Sequence, residues 1–386
     1  MLRPRFFPSL LLLLAILAPA AHAQIGKNVL VPAGSEVDHQ LNAISAATDP
    51  AAKLKLIDEF SAAHPDGDEQ ILALEQYVNY YLGAKEYDKA FAAGDKLFAR
   101  DPDNFNNAVN LVRAANEKGD VDRLFAYGEK AGGIVQRFKA SPAPAGTDQA
   151  SWDQQKEARL SAIKDNQDYI EQSLLSAGFQ QKDASKRAEL LVRFAKIFPT
   201  SPNATQAWSA AAFAYQQAQN RPKMLETANA LLEKDPNNIG MLLLLADDYS
   251  EKNEQLDKAE AYAKKAATLC DTAKKPEGTS DADWQKQLSL QKGLALSALG
   301  QVNLEKKQNA AAVDSLTKAA PLLKSNAAPY ARNQYRLGFA YINLKKNAEA
   351  KQAFTDAASV DSPYKGPAQD KLKGLATARP GARKAS

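Results

Sequence analysis

Apolar residues recur along the chain at helical spacing, in short stretches that come in pairs separated by polar turns. The clearest pair spans residues 331–363. Its first stretch carries Leu337, Gly338 and Tyr341 on one face; its second carries Ala350, Phe354 and Ala357, and Pro363 closes it. Gly338, Ala350 and Ala357 are small enough to let two helix backbones approach, while Tyr341 and Phe354 fill the grooves beside the crossing. The pattern predicts a helical hairpin.

The same pattern, with losses, predicts hairpins near 36–66, 71–104, 105–138, 152–199, 205–238, 239–272 and 284–325. Ser35 is placed to cap the first helix. Asp-Pro pairs at 101–102 and 235–236 suit helix ends, because proline disfavours helix in the residue before it. In the fourth hairpin the spacing predicts one long helix over 152–177 and a partner over 184–198. A longer repeat overlies the short one. Asp101-Pro102-Asp103-Asn104 matches Asp235-Pro236-Asn237-Asn238, an offset of 134, and Trp152 matches Trp284 at 132. Hairpins two to four and five to seven therefore read as a duplicated block, with long loops at 139–150 and 273–282 in equivalent places. Residues 24–35 lack helical period and read as a linker. Residues 364–377 read as a capping helix that covers the last hairpin, and 378–386 as a disordered basic tail.

In residues 331–363 the order is Leu-Gly, Tyr, then Ala, Phe, Ala and Pro within about 34 residues. This resembles the tetratricopeptide repeat, and the resemblance extends over roughly residues 36–365. Only the fifth hairpin has Trp (Trp208) near its first-helix start, and only the seventh and eighth keep Leu-Gly. The resemblance implies an all-α, right-handed superhelical solenoid of about eight antiparallel helix pairs over 36–363, with a C-terminal capping helix. It also implies that first helices line a concave face where peptides or partner helices bind.

Composition adds limits. The chain has 386 residues, 45% hydrophobic and 24% charged, and Cys270 is its one cysteine, so no internal disulfide or CxxC metal site is available. Residues 1–23 have the layout of a cleavable signal peptide: Arg3 and Arg5, the apolar run 9–17, and Ala21-His22-Ala23 before the cut. The expectation is an exported protein, periplasmic, with a secreted or envelope-associated location as the alternative. No later run is long enough for a membrane span in the mature form. The formal charge is +4, but Arg3, Arg5 and the five basic residues from Lys371 onward account for the excess. The body is near neutral, which does not fit a nucleic-acid partner.

Candidate contact residues lie on the predicted inward faces. Asn79, Asn110 and Arg113 approach a carboxylate clamp without its lysines. Gln216, Asp247, Gln301 and Arg336 are further polar positions there. A solvated polar groove is the plainer reading of this set. Trp152 and Trp284 follow the two long loops and read either as paired docking points or, preferentially, as staples holding those loops. HExxH, GxSxG, GxxxxGK[ST] and CxxC are absent from the sequence, so it suggests no catalytic residue, metal or cofactor. The favoured function is a non-enzymatic exported scaffold whose partners are protein or peptide segments. The alternatives are a structural subunit of an envelope complex without a peptide groove and, less favoured, an enzyme with an unrecognised site.

Overall fold

The computed structural model describes residues 25–377, so the expected signal peptide (1–23) and tail (378–386) lie outside the described residues. The described residues form eighteen α-helices and no strand. They divide into two compact units, with the division between Ala177 and Gly178.

The first unit contains α1 (Glu36–Ala46), α2 (Pro50–Ala63), α3 (Glu69–Gly83), α4 (Tyr87–Arg100), α5 (Phe105–Lys118), α6 (Val121–Ala140), α7 (Gln149–Ala162) and most of α8 (Lys164–Gln180). The second contains α9 (Ala184–Ile197), α10 (Ala204–Gln217), α11 (Arg221–Lys234), α12 (Ile239–Glu251), α13 (Leu256–Thr272), α14 (Asp281–Glu305), α15 (Asn309–Leu323), α16 (Ala327–Asn343), α17 (Asn347–Ser359) and α18 (Lys365–Thr377). Within each unit, extensive packing is between sequence neighbours. Alternate helices also touch: α3 with α5 in the first unit, and α10, α12, α14 and α16 in succession in the second. This is tetratricopeptide-like packing, in which each hairpin buries its apolar face on the next.

The helices start where the sequence supplies caps. Asp49, Asn104, Asp120 and Asp148 in the first unit, and Asp183, Asn238 and Ser280 in the second, each accept a backbone N–H from the residue three positions on. Six of the hairpins turn on left-handed residues: Lys85, Gln219, Lys307, Lys345 and Gly119 singly, and Asn253 together with Gln255. After the left-handed residue, a backbone N–H reaches back into the finished helix, as Glu86 to Tyr81 O (2.8 Å) and Lys346 to Tyr341 O (2.9 Å) do.

Small residues set the helix separation. A Cβ on Gly94 would lie 2.5 Å from Leu111 Cδ1, and one on Gly338 would lie 2.6 Å from Phe354 Cε1. Phe354 is fully buried and packs with Ala368 of α18, whose Leu372 and Leu375 flank the same cluster.

Two expectations need correcting. The region 152–177 is not one helix: it breaks at Ile163 into α7 and α8. The break turns the Ile163 side chain inward, 3% exposed, while its neighbours Ala162 and Lys164 stay exposed. The equivalent position in the second block is Ala295, buried inside the continuous 25-residue α14. Nor is the segment before α1 a free linker. Ile25 is buried, its carbonyl accepts from Phe105 N (3.0 Å), and Lys27 N donates to Asp101 Oδ2 (3.0 Å). Gly26 between them has φ +128°, and a side chain there would strike that carboxylate.

Candidate functional site: grooves of different chemistry

In the first unit, α3 and α5 form the walls of a groove of about 290 Å³. Asn106, Asn110 and Arg113 fall on one face of α5 because they are spaced four and three residues apart. Asn79 of α3 faces them and accepts from Asn110 Nδ2 (3.2 Å). Arg113 donates to Asn166 Oδ1 of α8 (3.0 Å) and lies 5.4 Å over the Tyr169 ring, whose hydroxyl takes Asn116 Nδ2 (3.3 Å). Deeper, Asn107 is buried and donates to Gly94 O (2.8 Å), fixing α5 against α4 at the close crossing. Asn104, the α5 cap, donates to Glu75 Oε1 (2.9 Å). The three clamp candidates Asn79, Asn110 and Arg113 thus come together. Arg113 is exposed and forms no ion pair among the described residues. Each amide carries both a donor and an acceptor, so a row of them matches the alternating N–H and C=O of an extended backbone.

Two grooves of the second unit bear on the candidate residues. One, about 270 Å³, is lined by Phe213, Gln216, Leu243, Leu244 and Leu294, with Asp247 at its edge. Phe213 is 45% exposed, an unusual setting for a phenylalanine. The other, about 350 Å³, is lined by Glu251, Gln301, Glu305, Arg332, Arg336 and the rings of Tyr335, Phe339 and Tyr364.

A charge network lies between these two grooves. Arg336 donates to Ser297 O (3.2 Å), to Ser297 Oγ (3.1 Å) and to Asp247 Oδ1 (3.3 Å), and it also contacts Glu251. Arg332 donates to Asp247 Oδ2 (2.8 Å). Burial pushes the Asp247 pKa up, but the Arg332 and Arg336 guanidiniums outweigh it and hold the carboxyl below the usual carboxylate range. The same balance, burial against the Asp247 charge, leaves Arg332 raised.

Arg336 is therefore not the open contact residue that its inward-facing position suggests. Its side chain is 5% exposed, and it ties α16 to α12 and α14. Gln301 likewise spends its amide on Glu305 (2.9 Å). Trp152 is buried, and its Nε1–H donates to Ser141 O (3.0 Å) at the start of the long loop, which makes it a staple. Trp284 is half-buried, so the pair is not equivalent in surroundings. Asn166, Arg332, Glu251 and Glu305 were not singled out from sequence. Arg332 had one legible signal, its position one turn before Arg336. Of the acids that receive the arginines, both more than 80 residues away in the chain, Asp247 was legible as an inward polar position and Glu251 was not.

Other chemistry is sparse. Burial pushes the Cys270 thiol up to about 11, with Asp271 adding to the effect, so it is protonated at neutral pH. Among the described residues no group of three or more His, Cys, Asp or Glu side chains is placed to hold a metal ion, and no helix is long and apolar enough to cross a membrane.

No family model matches the sequence, and no curated protein matches it. Solved structures similar to it include a thermophilic TPR protein of Thermus thermophilus, 16% identical over 53% of this chain and 98% of that one, at a TM-score of 0.35. A tetratricopeptide repeat protein of Parabacteroides merdae is 11% identical over 79% of this chain and 98% of its own, at 0.34. The TPR domain of P58(IPK) is 13% identical over 89% and 98%, at 0.28.

Proposed function

We propose that this chain is a non-catalytic scaffold that holds segments of other proteins, and that the asparagine groove of the first unit is where it does so. The observation that carries the reading is the convergence of Asn79, Asn110 and Arg113 in one open groove. Side-chain amides there are suited to grip a peptide main chain without regard to its side chains, and the exposed guanidinium adds a preference for an acidic group. The signal-like residues 1–23 support export, and a periplasmic or other envelope location is part of the proposal.

The test is selection from a displayed library of random dodecapeptides on the full chain, followed by affinity measurement. Asn79→Ala with Asn110→Ala should weaken the selected peptides about tenfold, and Arg113→Ala should weaken most those carrying Asp or Glu. Selected peptides that bind all three variants as well as the parent would overturn the assignment.

A further inference from the structure

The 350 Å³ groove of the second unit has a different unmet need. Its two arginines are paired with acids: Arg332 with Asp247, Arg336 with Asp247 and Glu251. Glu305 is not. It is half-buried at the end of α14 and accepts only the neutral Gln301 amide (2.9 Å). Among the described residues it forms no ion pair. The adjacent Lys306 is turned to Asp257 and Glu260, both at 2.6 Å. Of the three acids around the two arginines, Glu305 is the one without an ion pair.

The wall beside it is aromatic. Tyr335 packs edge-on to Phe339 (5.0 Å between centroids) and against Tyr364 (5.5 Å). The faces of such rings attract cations, and the chain already uses this one: Lys371 of α18 places its ammonium 4.9 Å over Phe339. A carboxylate lacking a counter-ion beside an electron-rich wall is suited to a cation with an alkyl stem. Among protein groups, a cation on an alkyl stem is the side chain of lysine or arginine.

We propose that this groove binds a lysine or arginine side chain of a partner polypeptide, its charge against Glu305 and its stem along Tyr335 and Tyr364. This site is separate from the asparagine groove and does not depend on it.

The experiment titrates the full chain with fluorescent octalysine, and with its fully Nε-acetylated form, at low and physiological salt. The acetylated peptide should bind about tenfold more weakly or not at all. Glu305→Gln should weaken octalysine about fivefold, whereas Glu349→Gln, an equal charge change on an exposed position of α17, should change it less than about twofold. Equal effects of the two substitutions would mean diffuse attraction and overturn the site, as would failure of octalysine to bind. Removing residues 378–386, which carry Arg379, Arg383 and Lys384, should leave the affinity within about twofold. A gain of about tenfold that Glu305→Gln abolishes would make the chain's own tail the occupant and overturn the partner assignment.

Discussion

The asparagine groove of the first unit and the apolar groove of the second are the same place in the duplicated block. At the 134-residue offset Asn79 corresponds to Phe213, Asn110 to Leu244 and Arg113 to Asp247. The hairpins beneath are alike: α5 and α12 are each capped by an asparagine, Asn104 and Asn238. What differs is the lining. Amides became apolar groups, and an exposed cation became an anion held by two arginines. Helix crossings depend on a few small residues, so the groove positions are free to change without disturbing the packing. One scaffold thus carries an open polar site in one unit and a locked ionic joint in the other.

The largest effect should come from attacking the joint. Arg336→Met leaves Asp247 and Glu251 short of a cation in a half-buried setting. Urea unfolding should show a loss of about 3–5 kcal/mol, against less than about 0.5 kcal/mol for Arg113→Ala on the exposed side of the comparison. A small loss for Arg336→Met would mean that the two units are not different in this respect. Next come the crossings, which should respond alike in both units. Gly94→Ala and Gly338→Ala each press a methyl against a packed neighbour and should cost about 1–3 kcal/mol.

Acid sharpens the contrast further. The Asp247 pKa is lowered in the folded protein, so its contribution is fully present above the ordinary carboxylate pKa and is lost as pH falls through the folded value. The stability gap between the parent and Asp247→Asn should therefore be constant from neutral pH down to about 4 and shrink below it. A gap that widens on acidification would reverse the sign of the linkage. The smallest effect lies in the turns. Lys345 holds a left-handed conformation that Gly119 adopts without a Cβ, and Lys345→Gly should stabilise the second unit by up to about 1 kcal/mol in the same urea unfolding measurement.

The helical pairs were legible because their signal is local. Gly338 and Phe354 lie half a repeat apart, and burial of one face writes itself into the spacing. The grouping of Asn79, Asn110 and Arg113 was legible for the same reason, since they are inward positions of successive first helices. The break at Ile163 was not. No glycine, proline or capping residue marks it, and only the tertiary burial of one side chain distinguishes it from the unbroken run at Ala295. The burial of Arg336 is not legible in the sequence because facing inward and being free are different properties. Its freedom depends on Asp247 and Glu251, and nothing within its own helix reports them.

The docking of Ile25, Gly26 and Lys27 onto the Asp101–Phe105 turn has a practical side. A reporter or affinity handle joined directly ahead of Ile25 begins within one residue of a side chain that must be stowed away from water. Fusion partners at that end should be given a spacer, and a chain trimmed past Lys27 should lose grip on the α4–α5 corner first, which amide exchange at Phe105 would register.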